Sequence, residues 1–174
     1  RDKVIIKMLA YCGLRRFELA KVKIEDINFE TRKIQISGKK GIERLATIFS
    51  DQLLEDMKIY MQYVLESPKK GYLFPAVSSL NTQEHLTPTQ INRIVAQAGH
   101  KAHLSNPVPE LKNINPHIFR HSCARILKDK GLSLEVIQKV LGHLSHKTTM
   151  DLYGTKSISD MDKELKEKVG DIFG

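Results

Sequence analysis

Cysteine is scarce in this chain of 174 residues: Cys12 and Cys123 lie far apart and form neither a CxxC pair nor a ligand ladder. A disulfide framework and a cysteine-built metal site are therefore not expected. Long apolar runs are also missing, and no segment approaches the ~20 apolar residues that a membrane-spanning helix requires. The opening stretch, Arg1 to Gly13, is too charged to read as a secretory signal peptide. There is no internal repeat and no low-complexity tract. Negative charge is in short supply too, with 20 Asp and Glu against 28 Lys and Arg, a formal net charge of +8. What remains is a chain that is 41% hydrophobic, long enough to bury roughly 70% of its unfolded surface as one domain. The expected setting is a reducing cytoplasm, without a membrane.

The excess positive charge is uneven. Residues 1–50 hold 12 Lys and Arg against 6 Asp and Glu, and residues 101–150 hold 8 against 3. The intervening block, 51–100, holds 4 against 5, and 151–174 holds 4 against 6. Two basic segments that the fold brought together would form one face suited to a polyanion such as nucleic acid. A solvated basic surface is the other reading of the same charges.

Hydrophobic periodicity predicts a mainly α protein with one small antiparallel sheet, an α+β class. An opening helix spans about 3–12, with Val4, Ile5, Met8, Leu9 and Cys12 at helical spacing and Gly13 as its stop. A short helical segment near 16–21 follows. Ile24, Ile27, Phe29, Ile34, Ile36, Leu45 and Ile48 then fall in short segments separated by turn residues, which reads as the sheet. Residues 51–66 return to helix, with Leu53, Leu54, Met57, Tyr60, Met61, Val64 and Leu65 on one face. Thr87-Pro88 opens a helix to about 100, Asn115-Pro116 opens another to about 130, and Ser133 caps a third, 134–142. Residues 101–115 read as a loop. Helices near 146–153 and 158–172 complete the expectation.

Four stretches carry residues with chemistry. Gly13-Leu14-Arg15-Arg16-Phe17-Glu18 sets an arginine just past a helix stop with a glutamate three residues on. Gly38-Lys39-Lys40-Gly41 reads as a lysine-bearing hairpin tip. His117-Ile118-Phe119-Arg120-His121 opens a helix, with His117 and Arg120 one turn apart and able to face one anion. Leu141-Gly142-His143 ends a helix, and Tyr153 follows ten residues after His143. Each has an ordinary reading alone: a surface ion pair, a solubilising turn, a structural histidine, a surface tyrosine. The His117/His121 spacing would suit zinc, but the glutamate of HExxH is missing, so no metal is expected.

In this order and approximate spacing, GLR15xxE18, Lys39, H117xxR120H121, LGH143 and Tyr153 resemble the tyrosine recombinases, the phage integrase family, from about residue 3 to 155. The ERLATI segment, 43–48, is similar to the strand after the family's catalytic lysine, and LxPTQINRIV, 86–95, to the helix before its HxxR box. The resemblance implies the DNA breaking-rejoining fold and a site-specific recombinase or integrase that works through a 3′-phosphotyrosine. Arg15 and Arg120 would clamp the phosphate with planar guanidinium forks, and Tyr153 would attack phosphorus. His117 would be the base, Lys39 the acid for the leaving 5′-oxygen, and His143 a hydrogen-bond donor. Glu18 and His121 would support the site, and Arg16, Lys40, Arg44 and Lys147 would contact DNA. Phe17, Cys12 and Ala46-Thr47-Ile48 depart from the family's usual residues.

No cofactor and no metal is expected, because the phosphotyrosine keeps the bond energy for the next strand. The partner would be double-stranded DNA, with a homo-oligomer, a tetramer on DNA, for the full-length protein. The chain reads as a single catalytic domain over 1–174 without the core-binding domain that usually precedes it, and 157–174 as a tail helix that could be exchanged between subunits. A type IB topoisomerase-like relaxing activity and a catalytically silent DNA-binding module are the competing functions.

Overall fold

The computed structural model of the chain describes residues 1–37, 43–76, 84–108 and 110–142. Within them run helix α1 (Asp2–Tyr11), the short α2 (Arg16–Ala20), strands β1 (Ile27–Asn28), β2 (Lys33–Ser37) and β3 (Glu43–Thr47), then α3 (Asp51–Tyr63), α4 (Pro88–Lys101), α5 (Pro116–Asp129) and α6 (Leu134–Leu141). The mainly α architecture with one small antiparallel sheet is as expected. Lys39, Lys40, His143, Lys147, Tyr153 and the helices expected beyond residue 145 lie outside the described residues.

Helices α1 and α6 use the same spacing to find the interior. Val4, Ile5, Met8 and Leu9 are the buried residues of α1, and Val136, Ile137, Val140 and Leu141 those of α6. Helix starts are fixed by side chains that accept otherwise unpaired N–H groups. The Thr87 hydroxyl accepts the Gln90 N–H at 3.2 Å while the Gln90 carboxamide accepts the Thr87 N–H at 2.7 Å. Asn115 accepts from His117 N–H at 3.0 Å ahead of Pro116, and Ser133 from Val136 N–H at 3.4 Å. Helix α6 ends at Gly142, whose φ of +64° places it in the left-handed region that favours glycine.

The sheet has strand order β1-β2-β3, with Ile27 opposite Ile34, Ile34 opposite Ala46 and Ile36 opposite Arg44. Ile24, Phe29 and Ile48, expected in the sheet, fall outside its strands. Ile24 is not in a strand: it opens a 3-10 turn (Ile24–Asp26) and donates its N–H to the Gly71 carbonyl at 2.8 Å. Leu45 does not face the core but is half-exposed, because side chains alternate along a strand and Ala46 takes the inward position opposite Ile34. Arg44 therefore shares the inward face with Ala46.

Helix α3 is shorter than its apolar pattern. It stops at Tyr63, and Val64, expected on the buried face, is largely exposed. Glu66 and Ser67 at φ of +55° and +56° leave the helical region there. The 101–115 stretch is held by Asn106, which donates to the Asn113 carbonyl at 2.7 Å and accepts the Val108 N–H at 3.0 Å.

The core forms two clusters. The larger joins α1, the sheet, α3 and α4, and the smaller gathers Cys123, Leu127, Val136, Ile137, Val140 and Leu141 from α5 and α6 with Phe49. Packing of α1 on α5 and of β3 on α6 brings the two together. The end of α1, the start of α2, β3, α5 and the end of α6 converge at that seam.

Candidate functional site

Three arginines from three parts of the chain meet at the C-terminal end of α6. Their targets are consecutive: Arg44 Nη1 donates to the Val140 carbonyl at 2.7 Å, Arg120 Nη2 to the Leu141 carbonyl, and Arg15 Nη2 to the Gly142 carbonyl at 2.7 Å. The last carbonyls of a helix have no partner within it and carry the negative end of its dipole, so cations are favoured there. Arg120 also donates Nη1 to the Gly13 carbonyl at 2.5 Å, tying the turn after α1 to α5 and α6. Two glycines make the approach possible. A Cβ on Gly13 would collide with Leu141, and one on Gly142 would collide with Arg44 Cδ and sit 2.8 Å from its Nε.

Glu18 organises two of the three cations. Its Oε1 accepts Arg15 Nη1 at 2.8 Å and Arg44 Nε at 3.3 Å, and its Oε2 accepts the Arg15 backbone N–H at 2.8 Å and Arg44 Nη2 at 2.7 Å. Burial pushes this carboxyl up, but the Arg44 and Arg15 hydrogen bonds and charges outweigh it and hold it below the usual carboxylate range. Arg120 moves the other way: burial, then the nearby Arg15 charge, push its guanidinium down to about 10, so it still carries its proton at neutral pH.

Three guanidiniums around one carboxylate leave a net positive site. Arg120 is buried, with only 5% of its surface exposed, whereas the Arg15 side chain is 40% exposed and offers the cluster's face to solvent. An anion arriving at that face would relieve the repulsion between Arg15 and Arg120. Forked, permanently charged donors suit phosphate oxygens in particular.

Of the residues singled out in the sequence, the structure brings together Arg15, Glu18, Arg44 and Arg120. His117 and His121 are exposed on α5, their rings edge to face at 5.7 Å. Among the described residues, neither ring joins the hydrogen bonds of the arginine cluster. Arg16 lies on α2 with its guanidinium 5.0 Å from the centre of the exposed Phe17 ring. Arg44, expected at the DNA surface, is instead turned inward, its side chain 11% exposed. Sequence reasoning missed the carbonyls of Val140, Leu141 and Gly142 as acceptors, since every residue carries a carbonyl and only the fold selects these three. The signal that could have exposed Arg44 was its phase: it lies two residues from Ala46 and four from Ile48, both buried. Cys12 and Cys123 are free buried thiols, and burial pushes Cys123 up to about 12, which leaves it unreactive at neutral pH.

Residues 1–158 match the phage integrase family. The tyrosine recombinase XerA of Pyrococcus furiosus is 34% identical over 149 residues, which cover 86% of this chain and 48% of that protein. The integrase of mycobacterium phage Brujita superimposes with a TM-score of 0.69 at 20% identity, covering 98% of this chain and 52% of that one. A pre-cleavage complex of the XerH site-specific recombinase bound to its difH substrate superimposes with a TM-score of 0.59 at 27% identity, over 83% of this chain and 40% of that one. The chain thus spans about half the length of relatives such as XerA. Given a family match over residues 1–158 that takes in the GLR15xxE18 and HxxR120 motifs, the chain belongs to the phage integrase family, the tyrosine recombinases.

Proposed function

We propose that the chain is the catalytic part of a site-specific recombinase that cuts and rejoins double-stranded DNA through a 3′-phosphotyrosine at Tyr153. The observation that carries this reading is the meeting of Arg15 and Arg120 at one net positive site, although they stand in opposite halves of the sequence. Transfer of a phosphodiester to a phenol places negative charge on the nonbridging oxygens, and fixed cationic donors are what that step requires. The tyrosine hydroxyl, with a usual pKa of ~10, needs a base or a positive field as it attacks. Two guanidiniums supply the field, and His117 is assigned as the base. Lys39 protonates the leaving 5′-oxygen and His143 donates to the phosphate. Arg16, Lys40 and Lys147 contact the DNA, and His121 supports the start of α5. The P–O bond to Tyr153 forms as the bond to the 5′-oxygen breaks, so no metal or nucleotide enters the balance. Binding of DNA by a homo-oligomer, a tetramer for the full-length protein, in the cytoplasm, belongs to the same proposal.

The test is covalent capture. Nicked duplexes with a randomised central sequence are incubated with the chain in EDTA, and protein-linked DNA is recovered after denaturation. Wild type should yield adducts whose sequences converge, and Tyr153→Phe should yield none. An adduct that persists in Tyr153→Phe would overturn the assignment. DNA binding without any adduct would favour the silent module, and adducts without sequence convergence, accompanied by plasmid relaxation, would favour the topoisomerase-like reading.

A further inference from the structure

Arg44 spends its donors inside the protein. Its Nε and Nη2 grip both oxygens of Glu18 at 3.3 and 2.7 Å, its Nη1 reaches the Val140 carbonyl at 2.7 Å, and the missing Cβ of Gly142 leaves the path open for its stem. Glu18 meanwhile holds Arg15 by both its backbone N–H and Nη1, and Arg15 and Arg120 bind the two carbonyls that follow Val140. The three arginines are thus referenced to one short length of backbone, and of the two that link that backbone to the Glu18 carboxylate, Arg44 is the buried one, its side chain 11% exposed against 40% for Arg15.

We propose that Arg44 is a positioning residue for the phosphate clamp, one that sets Arg15 relative to Arg120 and does not touch DNA; this rests on the recombinase reading above. Two physical consequences follow from its geometry. Glu18 is shared between two cations, so Arg15 keeps positive charge for an anion that a private Arg15–Glu18 pair would cancel. The divergent donors of a guanidinium serve the carboxylate and the Val140 carbonyl together, whereas the single ammonium of lysine cannot hold this fork in place.

The test compares wild type, Arg44→Met and Arg44→Lys on the nicked duplex recovered by covalent capture, below the melting temperature of each variant. In both variants the single-turnover rate of adduct formation at saturating DNA should fall, by about 10²-fold for a clamp displaced by an ångström. The slope of log affinity for an unnicked duplex against log salt should stay at the wild-type value. A slope reduced by about 1, with the rate at saturating DNA unchanged, would make Arg44 a phosphate contact and overturn the proposal. A purely structural role would lower the melting temperature and leave that rate within about twofold of wild type, again overturning it. If neither Arg44 variant folds, Gly142→Ala, which crowds Arg44 while keeping its charge, carries the same two readouts. Absence of any adduct from the wild type would instead overturn the functional reading, and this inference with it.

Discussion

Glu18 is where the site's electrostatics can be read most cleanly. Its carboxylate is 9% exposed and accepts four hydrogen bonds, and its removal would leave Arg15 and Arg44 without their shared counter-charge. Replacing one member of a buried ion pair typically costs about 3–5 kcal/mol, so Glu18→Gln should lower the urea midpoint by a corresponding amount at pH 7. The pH dependence has a definite sign. The folded-state pKa of Glu18 lies below its unfolded value, so its contribution is fully present above about pH 4.3 and fades as pH falls through the folded value. The gap between wild type and Glu18→Gln should therefore close on acidification. A gap that stayed constant to pH 2 would identify a packing defect in place of a charge effect. Arg120 shows the complementary situation, a cation disfavoured by burial and by Arg15. An anion at the cluster should stabilise the fold by mass action, about 2.7 kcal/mol at a concentration of 100 Kd. Pyrophosphate titration followed by thermal melting should raise the midpoint in wild type and raise it less in Arg15→Ala; equal shifts would place the anion elsewhere.

Helix α6 turns a common feature, a glycine stop, into part of the site. Gly131 and Gly142 both have positive φ, +78° and +64°, but nothing lies within 4 Å of a Cβ at Gly131, whereas one at Gly142 meets Arg44. Alanine at Gly131 should cost only the left-handed backbone strain, about 1 kcal/mol, and alanine at Gly142 that strain plus the displacement of Arg44. Equal urea midpoints for the two variants would show that Arg44 yields freely. Most elements were legible in the sequence, because caps and apolar spacing are local signals. Val4, Ile5, Met8 and Leu9 mark α1, and Thr87, Asn115 and Ser133 mark the starts of α4, α5 and α6. Strand β3 was legible as a strand but not in phase, since its hydrophobic Leu45 faces out and its charged Arg44 faces in. That inversion is stable only because Glu18 and the Val140 carbonyl, distant in sequence, satisfy the guanidinium. A pattern rule confined to one strand carries no information about partners 26 and 96 residues away.

Across the whole molecule, the two basic segments of the sequence do converge: Arg15 and Arg44 come from the first and Arg120 from the second. Family motifs pointed to Arg15 and Arg120, but the seam between two core clusters, where α1, β3, α5 and α6 meet, is a tertiary property. Lys39, His143 and Tyr153 rest on the motifs alone. If the arginines carry the charge that a metal would otherwise carry, EDTA should leave the adduct rate unchanged; loss in EDTA with recovery in magnesium would refute metal independence. The most direct measurement of the central claim, that Arg15 acts on the scissile phosphate, is the single-turnover rate of adduct formation at saturating nicked duplex. For Arg15→Ala relative to wild type, a fall of about 10²–10³-fold is expected, the loss typical of removing a donor to transition-state charge. A folded Arg15→Ala that forms the adduct within about threefold of the wild-type rate would contradict it, since such a donor is worth far more.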